Sequence, residues 1–192
     1  MAFAEIRIDT DQAAKDLTTM ARALKIAGPA QLRKPLAHWG GYMLVRTDLL
    51  FATGSRDGVR WPRLKESTKA SRRARGVKGA SPLDATGALR RSIKTETVMG
   101  IGVPEQRVFS NNRLAAIHQE GALIGPRTIR PKTAKALRFV IGGQVVFARK
   151  ADIKFTEIPA RPIVFISRRD RETATRYVRE HVQTLIRRAI KV

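Results

Sequence analysis

The N-terminal third of the chain has the apolar spacing of helices. Apolar residues recur three or four positions apart from 13 to 24 and again from 32 to 50, as on one face of an α-helix. Asp9 favours a helix start, Gly28 and Pro29 separate the two stripes, and Gly54 ends the second. We therefore expect two helices, as an antiparallel pair or one bent helix, after a short strand at 3–8. Trp61 follows them and is predicted to anchor a loop to the core.

The second half of the chain changes to a β pattern. Residues 136–141 and 145–150 are β-prone and flank Gly142 and Gly143, which predicts a hairpin. Apolar and polar residues alternate over 153–158, and Pro159 and Pro162 then stop strand pairing. We interpret 129–170 as the sheet around which the chain is organised, with earlier strands at 94–98 and 106–110.

Short helices are expected between these strands. Asp84 is predicted to cap one that carries Leu89 and Ile93. Asn112 is predicted to start another at 114–120, which Gly121 ends, and 121–128 is expected to be a loop.

The last element is an amphipathic helix near the C-terminus. Its apolar residues follow steps of three and four, and its opposite face carries Arg and Glu: Ala174, Tyr177, Val178, Val182, Leu185, Ile186, Ala189 and Ile190. Burial of the larger side chains is worth roughly 1.5–3 kcal/mol each, so the helix needs a cover. The pattern predicts an α+β fold: N-terminal helices, a mainly antiparallel sheet with a Gly-Gly hairpin, and a long amphipathic C-terminal helix packed on that sheet.

Length and composition favour one domain, 1–192, with a helical part (1–60), a basic mobile loop (63–80), and the sheet and C-terminal helix (83–192). The chain has no cysteine, no apolar run long enough for a membrane span, and no signal-peptide pattern at its start. We therefore expect no disulfide, no thiolate metal site and no membrane partner.

The net charge of +22 is the strongest functional signal in the composition. The electric field of so basic a chain favours binding of polyanions, above all nucleic acid. Residues 63–94 hold 10 basic and 2 acidic side chains and have little to bury around 69–79. One interpretation is an arm that contacts DNA phosphates. The other is a solvated loop that becomes ordered on assembly. The candidate contacts with DNA are Arg72, Arg73, Arg75 and Lys78.

Enzymatic chemistry is not indicated. His118 and Glu120 lie close in sequence, but no second histidine, serine or carboxylate pair stands at a diagnostic spacing. Gly100 and Gly102 lack the third glycine of a dinucleotide loop. We expect no enzyme, no cofactor and no metal.

Six short motifs occur in order along the chain: WPRL at 61–64, LDATGAL at 83–89, IHQEGA at 117–122, IRPK at 129–132, AL at 136–137 and IPARP at 158–162. Together, on a basic cysteine-free chain, they resemble the phage virion morphogenesis family, the tail-completion proteins of Mu-like and P2-like contractile-tailed phages. The resemblance covers roughly 61–189, although this chain continues with Ile163 and Val164 where many relatives have Phe-Leu-Gly. The motif residues it marks for assembly are Trp61, Pro62, Thr86, Gly87, His118, Gly121, Pro131, Pro159, Ala160, Arg161 and Pro162.

The resemblance implies a structural α+β subunit that forms a ring at the end of the tail tube or in the neck and joins tail to head. A hexamer would match the symmetry of a tail tube. The implied partners are further copies and the tail tube, sheath and neck proteins, with non-specific contact to genomic DNA. The implied location is the virion tail or neck, and the host cytoplasm during assembly. Two alternatives are a nucleic-acid-binding protein that uses its basic face and a minor head morphogenesis protein.

Overall fold

The computed structural model describes residues 29–77, 81–99, 104–141 and 144–190. The expected strand at 3–8, the first helix, the turn at 100–103, Lys78 and the Gly142-Gly143 turn lie outside these residues. Within them, no helix is long and apolar enough to cross a membrane.

The central element is helix α1, Arg33–Thr53, which follows a 3-10 turn, Pro29–Leu32, and ends at Gly54. Its buried face contains Trp39, Met43, Thr47 and Leu50, each three or four residues from the next. The second predicted helix is therefore confirmed. Two short strands, β1 (Ser55–Arg56) and β2 (Val59–Arg60), follow as a hairpin.

A two-stranded sheet covers one side of α1. Strands β3 (Ile93–Met99) and β4 (Pro104–Ser110) pair antiparallel from Ile93–Ser110 to Met99–Pro104, as the sequence pattern predicts. Alternate residues of β4, including Gln106 and Val108, are buried. Gly40 of α1 lies against the sheet, and a Cβ there would collide with the Gln106 side chain, whose Cδ would be 2.8 Å away. The missing side chain lets helix and sheet approach closely.

The C-terminal helix α5, Arg168–Ile190, packs along α1. Val178 and Val182 form a buried cluster with Leu32, and the Trp39 indole donates a hydrogen bond to the Asp170 carbonyl at 2.9 Å. The helix and the α+β class are confirmed. The main packing partner of α5 is helix α1 and not the Gly-Gly hairpin, because the apolar residues Val178 and Val182 are buried at the start of α1.

The region from 122 to 158 forms a long two-stranded ribbon, which we call the β-arm. Its strand pairs are nested: β5 (Ala122–Ile124) with β10 (Thr156–Ile158), β6 (Arg127–Ile129) with β9 (Ala151–Ile153), and β7 (Leu137–Ile141) with β8 (Gln144–Ala148). The strands of the predicted hairpin are confirmed, while two expectations were wrong. Residues 121–128 contain two strands, and the 153–158 pattern is divided between β9 and β10. The sheet expected to organise the chain is thus a projecting ribbon, since α1 and β3–β4 already provide the core.

Three short helices complete the described chain: α2 (Glu66–Ala74), α3 (Ala88–Arg91) and α4 (Arg113–Glu120). Helix α2 corrects the expectation of a loop at 63–80. Glu66 suits the positive end of its dipole and pairs with Lys69, and Arg72 and Arg73 suit the negative end.

Of the two predicted helix caps, one is confirmed and the other is wrong. Asn112 caps α4 as predicted, because its side chain accepts a hydrogen bond from the Leu114 amide. Asp84 does not cap α3, which begins after Gly87, and it lies 3.6 Å from Arg90 instead. Ile93 belongs to β3 and not to this helix.

Candidate functional site

Two of the sequence motifs, WPRL and IPARP, are joined by two hydrogen bonds from side chains to backbone carbonyls. The Trp61 indole N–H donates to the carbonyl oxygen of Pro162 at 2.8 Å, and Nε of Arg161 donates to that of Pro62 at 3.0 Å. Trp61 is buried edge-on against Phe51, with ring centroids 5.2 Å apart, so its predicted role as an anchor is confirmed. The WPRL and IPARP motifs therefore fix one connection between the core and the base of the β-arm.

The IHQEGA motif joins the same cluster. The backbone N–H of Arg161 donates to the carbonyl oxygen of His118 at 2.6 Å. Gly121 has φ of 80°, and a Cβ there would lie 2.9 Å from both the Ala160 nitrogen and the Ile158 oxygen. Only glycine fits this crossing without strain.

Gln119 is a residue of this cluster that the motif reading did not single out. Its amide oxygen accepts from the backbone N–H groups of Ile163 and Val164 at 2.8 and 3.1 Å, and its amide nitrogen donates to the Val164 carbonyl at 3.0 Å. The side chain thus pairs with the apolar segment after IPARP much as a neighbouring strand would. Its position within the IHQEGA motif is the sequence signal that could have identified Gln119.

A groove runs beside the cluster, and we call it the motif groove. It has a volume of about 470 Å³ and lies between the 63–72 segment, the 82–89 loop, α4 and β10. Its apolar lining includes Leu64, Leu83, Leu89, Leu114 and Ile158. Thr86, His118, Pro159 and Arg161 of the motif set also line it. The other seven residues of that set are not in its lining: Trp61, Pro62, Ala160 and Pro162 belong to the joined WPRL and IPARP motifs, Gly87 lies at the start of α3, Gly121 lies against Ala160, and Pro131 follows β6 in the β-arm.

The charged groups of the groove are mainly cationic, with Arg63, Lys65, Arg72 and Arg161 against the single acid Glu157. Arg72 donates to the carbonyl oxygens of Ser81 and Pro82 at 2.8 and 2.6 Å. Within the described residues neither Arg72 nor Arg161 has an acidic partner. Burial and, secondarily, the nearby Arg161 charge lower the pKa of His118, and its Nδ1 is buried without a hydrogen-bond partner in the described structure. The groove is suited to receive an anionic group.

A second hollow on the other side of α2 is also cationic. It has a volume of about 530 Å³, and its charged lining consists of Arg60, Arg63, Lys69, Arg72 and Arg73. Of the candidate DNA contacts, Arg73 and Arg75 are exposed, whereas Arg72 is half-buried against the Ser81 and Pro82 carbonyls. Arg72 is therefore partly a structural residue.

A buried ion cluster fixes the start of α5. The Asp170 carboxylate is 0% exposed, lies 3.1 Å from Nη2 of Arg56 and 3.5 Å from Nε of Arg46, and accepts from the Ser167 amide at 2.9 Å. Arg46 also pairs with Asp57. Hydrogen bonding from Arg46 is the main cause that lowers the pKa of Asp57. The described residues contain no cluster of histidines and carboxylates able to hold a metal ion.

The tip of the β-arm exposes apolar side chains on both faces. Ile141 and Val146 lie on one face of β7–β8, and Val145 and Phe147 lie on the other. Phe147 is 66% exposed. Neither strand pairs with a third strand among the described residues, so both edges are open.

Comparison with known families connects these features. The family model described as the phage virion morphogenesis family matches residues 9–183, which is most of the chain. Comparisons with curated proteins and with solved structures found no match. The family is a structural one, concerned with assembly of the phage particle. Because the match spans the helices, the β-arm and the motif cluster together, the chain belongs to the phage virion morphogenesis family.

Proposed function

We propose that the protein is a tail-completion or neck subunit that forms a closed homo-oligomeric ring and joins the phage tail to the head. Family membership supports a structural role in the virion. The finer role depends on whether the subunit has surfaces for assembly, and the β-arm is the strongest of these.

The observation that carries the proposal is the apolar tip of the β-arm. An isolated two-stranded hairpin is marginally stable in water. Contiguous exposed apolar residues, rimmed here by Arg138, Arg149 and Lys150, mark protein–protein contact surfaces. A second copy that covers the tip would bury both faces and stabilise the hairpin.

A closed ring follows when one surface of a subunit contacts a different surface of the next and the rotation closes. Strands β7 and β8 contact mainly each other, and their apolar side chains are exposed, so the tip is available to a neighbour. The charge of +22 per copy opposes this association. Because screening acts over about 8 Å at physiological ionic strength, moderate salt should strengthen it.

The mass of the purified protein tests the proposal. We expect multiples of 21.4 kDa, with imaging of the particles showing rings. Phe147→Ser should raise the concentration needed for assembly by at least about tenfold, since it removes a large apolar contact. Val45 of α1 is 68% exposed, so Val45→Ser is the matched control and should leave the mass unchanged. A wild-type monomer at every salt and protein concentration would defeat the proposal.

A nucleic-acid-binding function is the second candidate, and the cationic hollow beside α2 favours it. Five basic side chains line the hollow without an acidic one. DNA binding through phosphates should weaken steeply with salt and show little sequence preference. An Arg73→Gln variant should lower DNA affinity, with Arg179→Gln on α5 as the control. A monomer that binds DNA with an affinity that falls steeply as salt rises would favour this candidate over the ring.

A further inference from the structure

The motif groove is bordered by an unpaired strand edge. β10 pairs with β5 on one side, and its other edge has no partner among the described residues. Thr156, Glu157 and Ile158 of β10 all line the groove, whereas no residue of β5 does. The free edge therefore faces the groove, and an extended segment can pair with such an edge through its backbone.

The side chains around the groove define what would fit there. Leu114 is 51% exposed on the groove wall, beside Leu83 and Leu89. Arg72 and Arg161 face it with carbonyl partners but no carboxylate within the described residues. A fitting occupant is an extended segment in which apolar side chains alternate with acidic ones.

The chain itself contains such a segment at residues 3–11. Its apolar residues are Phe3, Ile6 and Ile8, and its acids are Glu5, Asp9 and Asp11 against the single base Arg7. It thus carries a net charge of −2 in a chain of +22. The β-arm tip is another candidate occupant of the groove, but its rim is basic and does not complement a cationic groove.

The connection to this segment is long enough to reach another copy. It lies outside the described residues, and eighteen residues from 11 to 29 span at most about 60 Å when fully extended and roughly 40 Å with the helix predicted at 13–24. The described chain begins at Pro29, where the 3-10 turn packs on α5 through Leu32. The groove lies beyond the opposite end of α1, a helix about 31 Å long.

We propose that residues 3–11 of a neighbouring copy dock in the motif groove as a strand added to β10, with their carboxylates facing Arg72 and Arg161. This inference rests on the proposed ring. An acidic donor segment and a cationic acceptor groove are different surfaces, as a head-to-tail ring requires. Their pairing also offsets the repulsion between copies of +22 charge at the point of contact.

Disulfide trapping tests the docking, because the chain has no cysteine of its own. Ala4→Cys and Ala85→Cys place single thiols on the segment and at the groove, and Ala85 is exposed. Mixing the two single variants under oxidising conditions should give covalent dimers. Ala4→Cys mixed with Val45→Cys is the control and should not. The Ala4→Cys, Ala85→Cys double variant should give a ladder of covalent oligomers on a denaturing gel.

Charge reversal separates complementarity from chance contact. Glu5→Lys should lower the trapping yield at equal protein concentration by at least about tenfold. Glu180→Lys makes the same charge change on the exposed side of α5 and should leave the yield unchanged. Above the moderate salt that favours association of the +22 copies, further salt should lower the wild-type yield, since it then screens the ion pairs of the contact.

The outcomes distinguish this inference from the ring itself. Rings of normal mass without trapping, or with equal trapping at Val45→Cys, would overturn the docking and leave the ring intact. A double variant that forms only an internal disulfide would place the segment in its own groove and overturn the exchange between copies. A monomer in every condition would defeat ring and docking together.

Discussion

The backbone N–H of Arg161 donates to the carbonyl oxygen of His118 at 2.6 Å, which joins two motifs far apart in the sequence. The same arginine donates from its side chain to Pro62, which belongs to a third motif. Because Pro159 and Pro162 restrict the backbone on either side, Arg161 is held where both bonds form. Strand pairing stops at these prolines as the sequence predicts, since β10 ends at Ile158 and α5 begins only at Arg168.

The first prediction concerns the crossing at Gly121. Gly121→Ala should lower the free energy of unfolding by about 1–3 kcal/mol, because the residue has positive φ and its Cβ would meet the backbone of Ile158 and Ala160. Gly41→Ala is the control, since nothing lies within 4 Å of a Cβ there and alanine favours the helix. Urea denaturation measures both. Equal stability of the two variants would contradict the role of Gly121.

The second prediction concerns the buried Asp170. Asp170→Asn should cost about 3–5 kcal/mol, because it leaves the Arg46 and Arg56 charges without this buried partner. Asp48→Asn breaks an exposed ion pair with Arg90 and should cost no more than about 1 kcal/mol. Thermal and urea unfolding compare them. A small effect at Asp170 would show that the cluster does not fix the start of α5.

The third prediction is a dependence of stability on pH. The pKa of His118 in the folded state is below the usual 6.5, mainly because of burial and also because of Arg161. As pH falls below about 6.5, His118 is protonated in the unfolded chain before it is protonated in the folded chain, which favours the unfolded state. The folded state therefore keeps its full stability with respect to His118 above about pH 6.5 and loses stability as pH falls. The melting temperature of His118→Gln should therefore fall less than that of wild type between about pH 8 and about pH 5.5. An equal fall of the melting temperature in the two proteins would contradict this role of His118.

The fourth prediction concerns proteolysis around α2. This short helix buries no residue completely and is rich in Lys and Arg. Limited trypsin digestion should therefore cut residues 65–79 before it cuts α5. Mass spectrometry of the first fragments checks this. First cuts within 174–190 would contradict the prediction, and protection of 65–79 in the assembled ring would agree with ordering on assembly.

The sequence by itself determined most of the local structure. Apolar spacing located α1 and α5, because a helix that packs on a core repeats its buried face every three or four residues. Asn112 and Gly54 marked helix ends because their chemistry is local. The six ordered motifs identified the family, which the match over residues 9–183 confirmed.

The tertiary structure alone decided which surfaces meet and which stay exposed. The apolar strands of the β-arm read like a core sheet, yet Phe147 is exposed. Sequence periodicity marks an apolar face but cannot tell whether the fold covers it. The carbonyl partners of Arg161 and Trp61 and the burial of Asp170 between two arginines depend on contacts between distant segments. No local pattern encodes these contacts, since each forms only once α1, the motif cluster and α5 have packed together.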